Sequence, residues 1–167
     1  GVIMIDTGAT MAHVCERLAA QVPRSGDVEL TVITNSLRNA TVLGTNASIR
    51  VIICPGNYDD RENAAFGSQT VEFITRFNAD VVMMSAGGLN GDVVTDANSE
   101  AVAVKRAMLR QASRSVLVLE KRKLSFPQFE SVCDVGEFDD LVTDERPTSD
   151  VAALLEATNI HVASPGH

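Results

Sequence analysis

Short apolar runs alternate with amphipathic stretches along this chain, and that alternation restricts the fold more than any other feature. The runs are Val2-Ile3-Met4-Ile5, Leu30-Thr31-Val32-Ile33-Thr34, Ile49 to Ile53, Val81-Val82-Met83-Met84, Ser115-Val116-Leu117-Val118-Leu119, Leu141-Val142-Thr143 and Ile160 to Ala163. Their length and turn-rich flanks predict buried strands. Between them the apolar spacing changes to that of helices. One helix runs from the Thr7-Gly8-Ala9-Thr10 turn to about Val22. Another spans about Leu37 to Leu43, capped by Ser36 and stopped by Gly44. A third starts at Gly67-Ser68 with Val71, Phe73, Ile74 and Phe77 as apolar positions, and a fourth covers Glu100 to about Ala112. In the fourth, Ala101, Val104, Met108 and Ala112 form a stripe at helical spacing. A last helix is predicted over Asp150 to Ala157, and the tail Ser164 to His167 is expected to fray. Asn57 to Asn63 reads as an exposed loop. Beyond Pro127 the pattern weakens, with Phe129 and Val132 as expected core anchors.

Strands alternating with helices imply an α/β domain of three αβα layers with a mainly parallel sheet. Ligands in such domains bind outside the carboxyl ends of the strands. Asp6, Asn35, Pro55-Gly56, Ser85 to Gly88 and Lys123 all fall at predicted strand ends of that kind. The first of these ends is the most suggestive. A strand closes in Asp6, a glycine follows between two threonines, and a helix begins. Backbone N–H groups at a helix start lack intrahelical partners and carry positive potential, which suits a phosphate. Thr7 and Thr10 add hydroxyls, and Gly8 lets a ligand approach the backbone. The same pattern is also that of an ordinary strand-to-helix turn.

The glycine-rich Ser85-Ala86-Gly87-Gly88-Leu89-Asn90-Gly91 has neither the GxGxxG spacing of a dinucleotide loop nor the lysine of a P-loop. Lys121-Arg122-Lys123 puts positive charge beside a strand end in a chain of net charge −8, which favours an anionic partner. Glu100, in the first turn of its helix, is expected near the ligand edge, where it would accept hydrogen bonds from sugar hydroxyls. Lys105, a full turn further in, is not expected to reach the ligand.

The acidic balance argues against this chain gripping nucleic acid by itself. Cys15, Cys54 and Cys133 form no CxxC pair, and His13, His161 and His167 lie far apart, so neither a metal site nor a disulfide framework is indicated. Ser85 has no histidine near it in the pattern, so no catalytic residue is assigned. No cofactor is expected. No run is long enough to span a bilayer and no signal-peptide pattern is present, so no membrane partner and a cytoplasmic location are expected.

Taken together, these residues resemble the C-terminal sensor domain of DeoR-type transcriptional regulators. Asp6-Thr7-Gly8-Ala9-Thr10 looks like that family's D-S-G-T-T loop, and Thr34-Asn35-Ser36 matches its T-N-S. Ala79-Asp80 with Ser85-Ala86-Gly87-Gly88-Leu89 resembles its A-D…G-A-D-G-I segment. Glu100 with Val104-Lys105-Arg106-Ala107-Met108 is similar to its E…V-K-R-x-M helix. Lys123 falls where D-S-S-K-F-G carries its lysine, and Leu141-Val142-Thr143-Asp144 matches L-I-T-D. The resemblance covers about Val2 to Ala163 and implies a single effector-binding domain over 1–167, related to ribose-5-phosphate isomerase and the CoA transferases. It implies a phosphorylated sugar or similar anionic metabolite as effector, a winged helix-turn-helix preceding this chain as the DNA-binding part, and a homo-oligomer. The implied effector site comprises Asp6, Thr7, Gly8, Ala9, Thr10, Asn35, Ser36, Ser85, Ala86, Gly87, Gly88, Glu100 and Lys123. Three features depart from the family pattern: Gly87 stands in place of a common Asp and Asn90 in place of a second acid; Glu120-Lys121-Arg122-Lys123 stands in place of D-S-S-K and adds positive charge; and Pro55-Gly56 stands in place of a Gly-Gly pair. They imply an effector that differs from a simple aldose or ketose phosphate or carries more negative charge. A sugar-phosphate isomerase or deaminase on the same fold is the alternative, with Glu100 as its remaining base. A regulatory subunit with a vestigial pocket is a third reading.

Overall fold

A computed structural model describes residues 1–156 and 158–163. The predicted helix end at Ala157 and the tail Ser164 to His167 lie outside the described residues. Seven strands form one parallel sheet: β1 (Val2–Ile5), β2 (Leu30–Thr34), β3 (Ile49–Ile53), β6 (Ala79–Met84), β9 (Ala112–Val118), β11 (Asp140–Thr143) and β12 (Asn159–Val162). Their spatial order is β12-β11-β9-β6-β1-β2-β3. From β1 the chain builds outward through β2 to β3. It then returns to the other side of β1 and builds outward again from β6. The reversal opens a crevice at the carboxyl ends of β1 and β6, which is where doubly wound sheets place their ligands.

The helices cover both faces, and adjacent strand residues show it. Ile5 and Val32 face a cluster with Met11, Cys15 and Leu43 from α1 (Ala9–Gln21) and α2 (Leu37–Leu43). Met4 and Ile33 face the opposite cluster, with Ile74 of α3 (Ser68–Ile74) and Val104 and Met108 of α4 (Ser99–Gln111). Period-two alternation with both faces covered explains why these strands read as unbroken apolar runs. Ser36 caps α2, its hydroxyl accepting from the Asn39 N–H at 3.1 Å. Asn98 caps α4, accepting from Glu100 and Ala101 at 2.9 and 3.3 Å.

Two small antiparallel sheets were not expected. Asn57 to Asn63 is one arm and the turn of a hairpin, β4 (Asn57–Asp59) against β5 (Ala64–Phe66), and not simply a loop. The Asp59 carboxylate holds the turn by accepting from the N–H groups of Arg61 and Glu62 at 2.9 and 3.1 Å. The second sheet joins β7 (Gly88–Asn90), β8 (Val93–Asp96) and β10 (Glu130–Asp134). Arg106 of α4 ties β10 to the domain, donating to the carbonyls of Val132 and Ser131 at 2.9 and 2.7 Å. Val132 is buried as expected, but Phe129 is 85% exposed and is no core anchor. Leu124 and Phe138 fill the core there instead. A helix α5 (Ser149–Leu154) precedes β12.

Candidate functional site

At the β1/β6 switch point a cleft of about 340 Å³ is lined by Thr7, Gly8, Ala9 and Thr10 on one side and Ser85, Ala86 and Gly87 on the other. Asp96, Asn98, Ala101 and Lys105 close one wall, Glu120, Arg122 and Lys123 another, and Glu62 the rim. The turn after β1 is shaped by Gly8, whose φ of 123° is one that L side chains rarely adopt. A Cβ there would also lie 3.1 Å from the Ser85 hydroxyl. No side chain caps α1. Among the described residues no acceptor takes the N–H groups of Gly8, Ala9 or Thr10. The cleft therefore contains a helix start with open donors and partial positive charge.

Eight of the residues singled out from sequence meet here: Thr7, Gly8, Ala9, Thr10, Ser85, Ala86, Gly87 and Lys123. Lys123 and Thr10 share the cleft because they follow β9 and β1, the two parallel strands that flank β6. The Thr7 hydroxyl is already used, donating to the Glu62 carbonyl at 3.2 Å, which fastens the hairpin turn over the helix start. Of the basic run, Lys121 pairs with Glu145 at 3.5 Å and is absent from the cleft lining, while Arg122 pairs with Glu120 at 2.6 Å along it. Lys123 has no carboxylate within ion-pair distance among the described residues.

Five of the expected residues lie elsewhere. Asp6 is wholly buried beneath the floor. Asn35 is also wholly buried; its amide donates to the Ala65 carbonyl at 3.0 Å and pins β5. Ser36 is spent on capping α2. Gly88 is buried under the 123–126 segment: a Cβ there would fall 1.8 Å from the Phe126 carbonyl oxygen and 2.9 Å from that of Lys123. Its missing side chain serves chain packing and not ligand approach. Glu100 is exposed and borders an apolar groove with Gly67, Val71 and Ala103, because its position on α4 turns it toward α3. It is not among the residues that line the cleft.

Lys105 is the opposite case. It sits on the buried stripe of α4, and its ammonium reaches the cleft from below while bonded to Asp6 and 3.6 Å from Asp96. Burial by itself would push the Lys105 ammonium down. The charges of Asp6 and then Asp96, with their hydrogen bonds, outweigh burial and hold it above the ordinary lysine range. A lysine one residue from an apolar helical stripe was the sequence signal for this arrangement, since a charge on that face needs a partner. Asp96 lies at the end of β8, a strand the sequence pattern did not show, so its place in the wall was not foreseeable. Among the described residues no group of histidine, cysteine, aspartate and glutamate side chains is arranged to hold a metal ion.

A doubly wound domain with a polar cleft at its switch point, a free helix start and a fixed lysine has the architecture in which such sheets place small-molecule ligands. The chain belongs to the DeoR C-terminal sensor-domain family: the family described as "DeoR C terminal sensor domain" matches residues 1–145. It is 26% identical over 160 residues to the HTH-type transcriptional repressor GlcR of Bacillus subtilis (strain 168), covering 96% of this chain and 59% of that protein. It is 24% identical over 161 residues to the glycerol-3-phosphate regulon repressor of Escherichia coli (strain K12), covering 96% and 61%. The L-fucose operon activator of Haemophilus influenzae is 22% identical over 136 residues, 80% of this chain and 54% of that one. The chain thus spans about three-fifths of the length of the first two. All three are named as regulators of transcription. A solved D-ribose-5-phosphate isomerase in complex with phospho-erythronic acid matches 74% of this chain and 45% of its own, with 16% identity and a TM-score of 0.49.

Proposed function

We propose that this domain binds a singly phosphorylated sugar, or a metabolite of similar charge and size, and reports its presence without converting it. The observation that carries the proposal is the open start of α1 inside a cleft that also holds Thr10 and Lys123. The phosphate lies against the N–H groups of Gly8, Ala9 and Thr10, with Lys123 as a point charge beside it. Sugar hydroxyls donate to Asp96 and Glu62 and accept from Ser85 and Asn98.

Charge favours one phosphate over two. In and under the cleft stand four carboxylates, Asp6, Glu62, Asp96 and Glu120, against three cations, Lys105, Arg122 and Lys123. Lys105 and Arg122 already have carboxylate partners. A second phosphate would meet little uncommitted positive charge. In the intact protein, occupancy of the cleft shifts the population of two arrangements, and through it the DNA affinity of a preceding winged helix-turn-helix in a cytoplasmic homo-oligomer.

The test is calorimetry on the chain with inorganic phosphate and a panel of pentose and hexose monophosphates, with NMR to detect conversion. Binding without conversion is expected. Gly8→Val, which puts a branched side chain at the phosphate, should weaken binding by about 1–3 kcal/mol. Unchanged affinity in that variant overturns the phosphate placement. Conversion that Asp96→Asn abolishes overturns the sensing role.

A further inference from the structure

We infer that the phosphate cleft continues into a second compartment, and that the effector carries a second sugar ring which lies there against Phe126. This rests on the sensor reading above and names the ligand class more narrowly. The second compartment has a volume of about 450 Å³ and is bounded by Ala97, Phe126 and Gln128 together with Gly87, Asp96, Arg122 and Lys123 of the cleft wall. The two spaces therefore share the wall made by those four residues. A Cβ on residue 87 would fall 2.6 Å from Cγ of Gln128 and 3.3 Å from Cα of Asp96, so the stem of Gln128 packs on Gly87 and fixes its carboxamide at that wall. The close packing of the 123–126 segment on Gly88 sets that segment at the mouth of the cleft.

The lining chemistry selects a sugar ring. Phe126 is 59% exposed, a costly state for an aromatic side chain in water, and its ring gives an apolar surface for the C–H face of a pyranose. The Gln128 carboxamide makes no hydrogen bond among the described residues and has both a donor and an acceptor to offer hydroxyls. Asp96 accepts from hydroxyls at the junction. A nucleobase, which gains most from stacking on both faces, would match less well, because the compartment has a single aromatic face.

The experiment is calorimetry on the full chain with inorganic phosphate, glucose 6-phosphate, trehalose 6-phosphate, sucrose 6-phosphate and adenosine 5′-monophosphate. The disaccharide phosphates are expected to bind more tightly than glucose 6-phosphate. Phe126→Ala should weaken the disaccharide phosphates by roughly three- to tenfold and leave glucose 6-phosphate and inorganic phosphate unaffected, with Phe126→Tyr retaining the tight binding. Phe126 is exposed, so these variants fold. Phosphate and glucose 6-phosphate binding with no gain from the second sugar overturns the inference and leaves the sensor reading standing. A Phe126-dependent gain for the nucleotide alone overturns the sugar assignment. Failure of every phosphorylated probe to bind overturns both.

Discussion

Lys105→Met should be among the most damaging single changes in this chain, and its size follows from burial. The Asp6 side chain has no exposure and the Lys105 side chain 4%. Among the described residues one oxygen of Asp6 has no hydrogen-bond partner, and the other depends on the Lys105 ammonium. Removing that donor leaves a carboxylate in the interior with nothing to compensate it. Breaking such a pair from one side costs about 3–5 kcal/mol. For a domain of this size that corresponds to a drop in melting temperature of roughly 6–20 °C. Asp6→Asn together with Lys105→Met removes both charges and should recover at least half of the loss. Urea unfolding of the parent, the single variants and the double variant measures all of this. A cost below about 1 kcal/mol for Lys105→Met, or a double variant no more stable than Lys105→Met alone, would refute the account of a charge kept in place only by its partner.

Asn46→Ala should cost about 2–3 kcal/mol by thermal or urea unfolding, because the wholly buried Asn46 donates to the carbonyls of Ala19 and Val22 at 3.1 and 2.9 Å and accepts from Ser48 at 2.9 Å. Gly88→Ala should force the 123–126 segment off β7, lowering stability by about 1–3 kcal/mol and exposing Lys123 to trypsin. Asp140 is held below the usual carboxylate range by its hydrogen bond with His161, against burial, and by Arg114. Its contribution is thus present above the unfolded carboxylate pKa and lost as pH falls through the folded value, so Asp140→Asn should flatten the acid limb of a stability–pH profile below about pH 4. Burial, with nearby carboxylates, pushes the thiols of Cys15, Cys54 and Cys133 up to about 12, so iodoacetamide at pH 8 should label the native protein far more slowly than the urea-unfolded one, as read by mass spectrometry.

The seven main strands were legible because both faces of the sheet are covered, which leaves apolar runs with turn residues at their ends. The helix start at Ser36 was legible because capping is local chemistry. The small sheets were not. β4, β5 and β7 are three residues each, too short for any period to show, and they pair with segments that carry turn residues. Phe129 looked like a core residue because nothing in composition separates a buried phenylalanine from an exposed one. In the cleft, Thr7 to Thr10 and Ser85 to Gly87 were found because both follow strands that end at one switch point. Asp6 and Asn35 follow strand ends too, but their side chains continue the strand alternation onto the α3/α4 face, under the floor. Reading one further step of that alternation from Met4 and Ile33 would have placed them there.

The same geometry explains why a cleft with carboxylates and a lysine belongs to a sensor. Proton abstraction from carbon needs a base free to move a proton and a group that stabilises the charge that develops. Glu100, the base a sequence reading would supply, faces α3 and not the cleft. Asp96 does line the cleft, but one of its oxygens is occupied with the Lys105 ammonium. Lys105 in turn is held charged by two carboxylates, which removes it as a nucleophile and commits its hydrogen bonds before any ligand arrives. What is left uncommitted is the helix start, Thr10, Lys123 and Ser85. Those groups have the chemistry to bind and orient the proposed anion without taking part in bond making or breaking. Under them the Lys105 ammonium, bonded to the buried Asp6 and 3.6 Å from Asp96, ties α4 to the end of β1, so the floor of the cleft is set by contacts that do not involve a ligand.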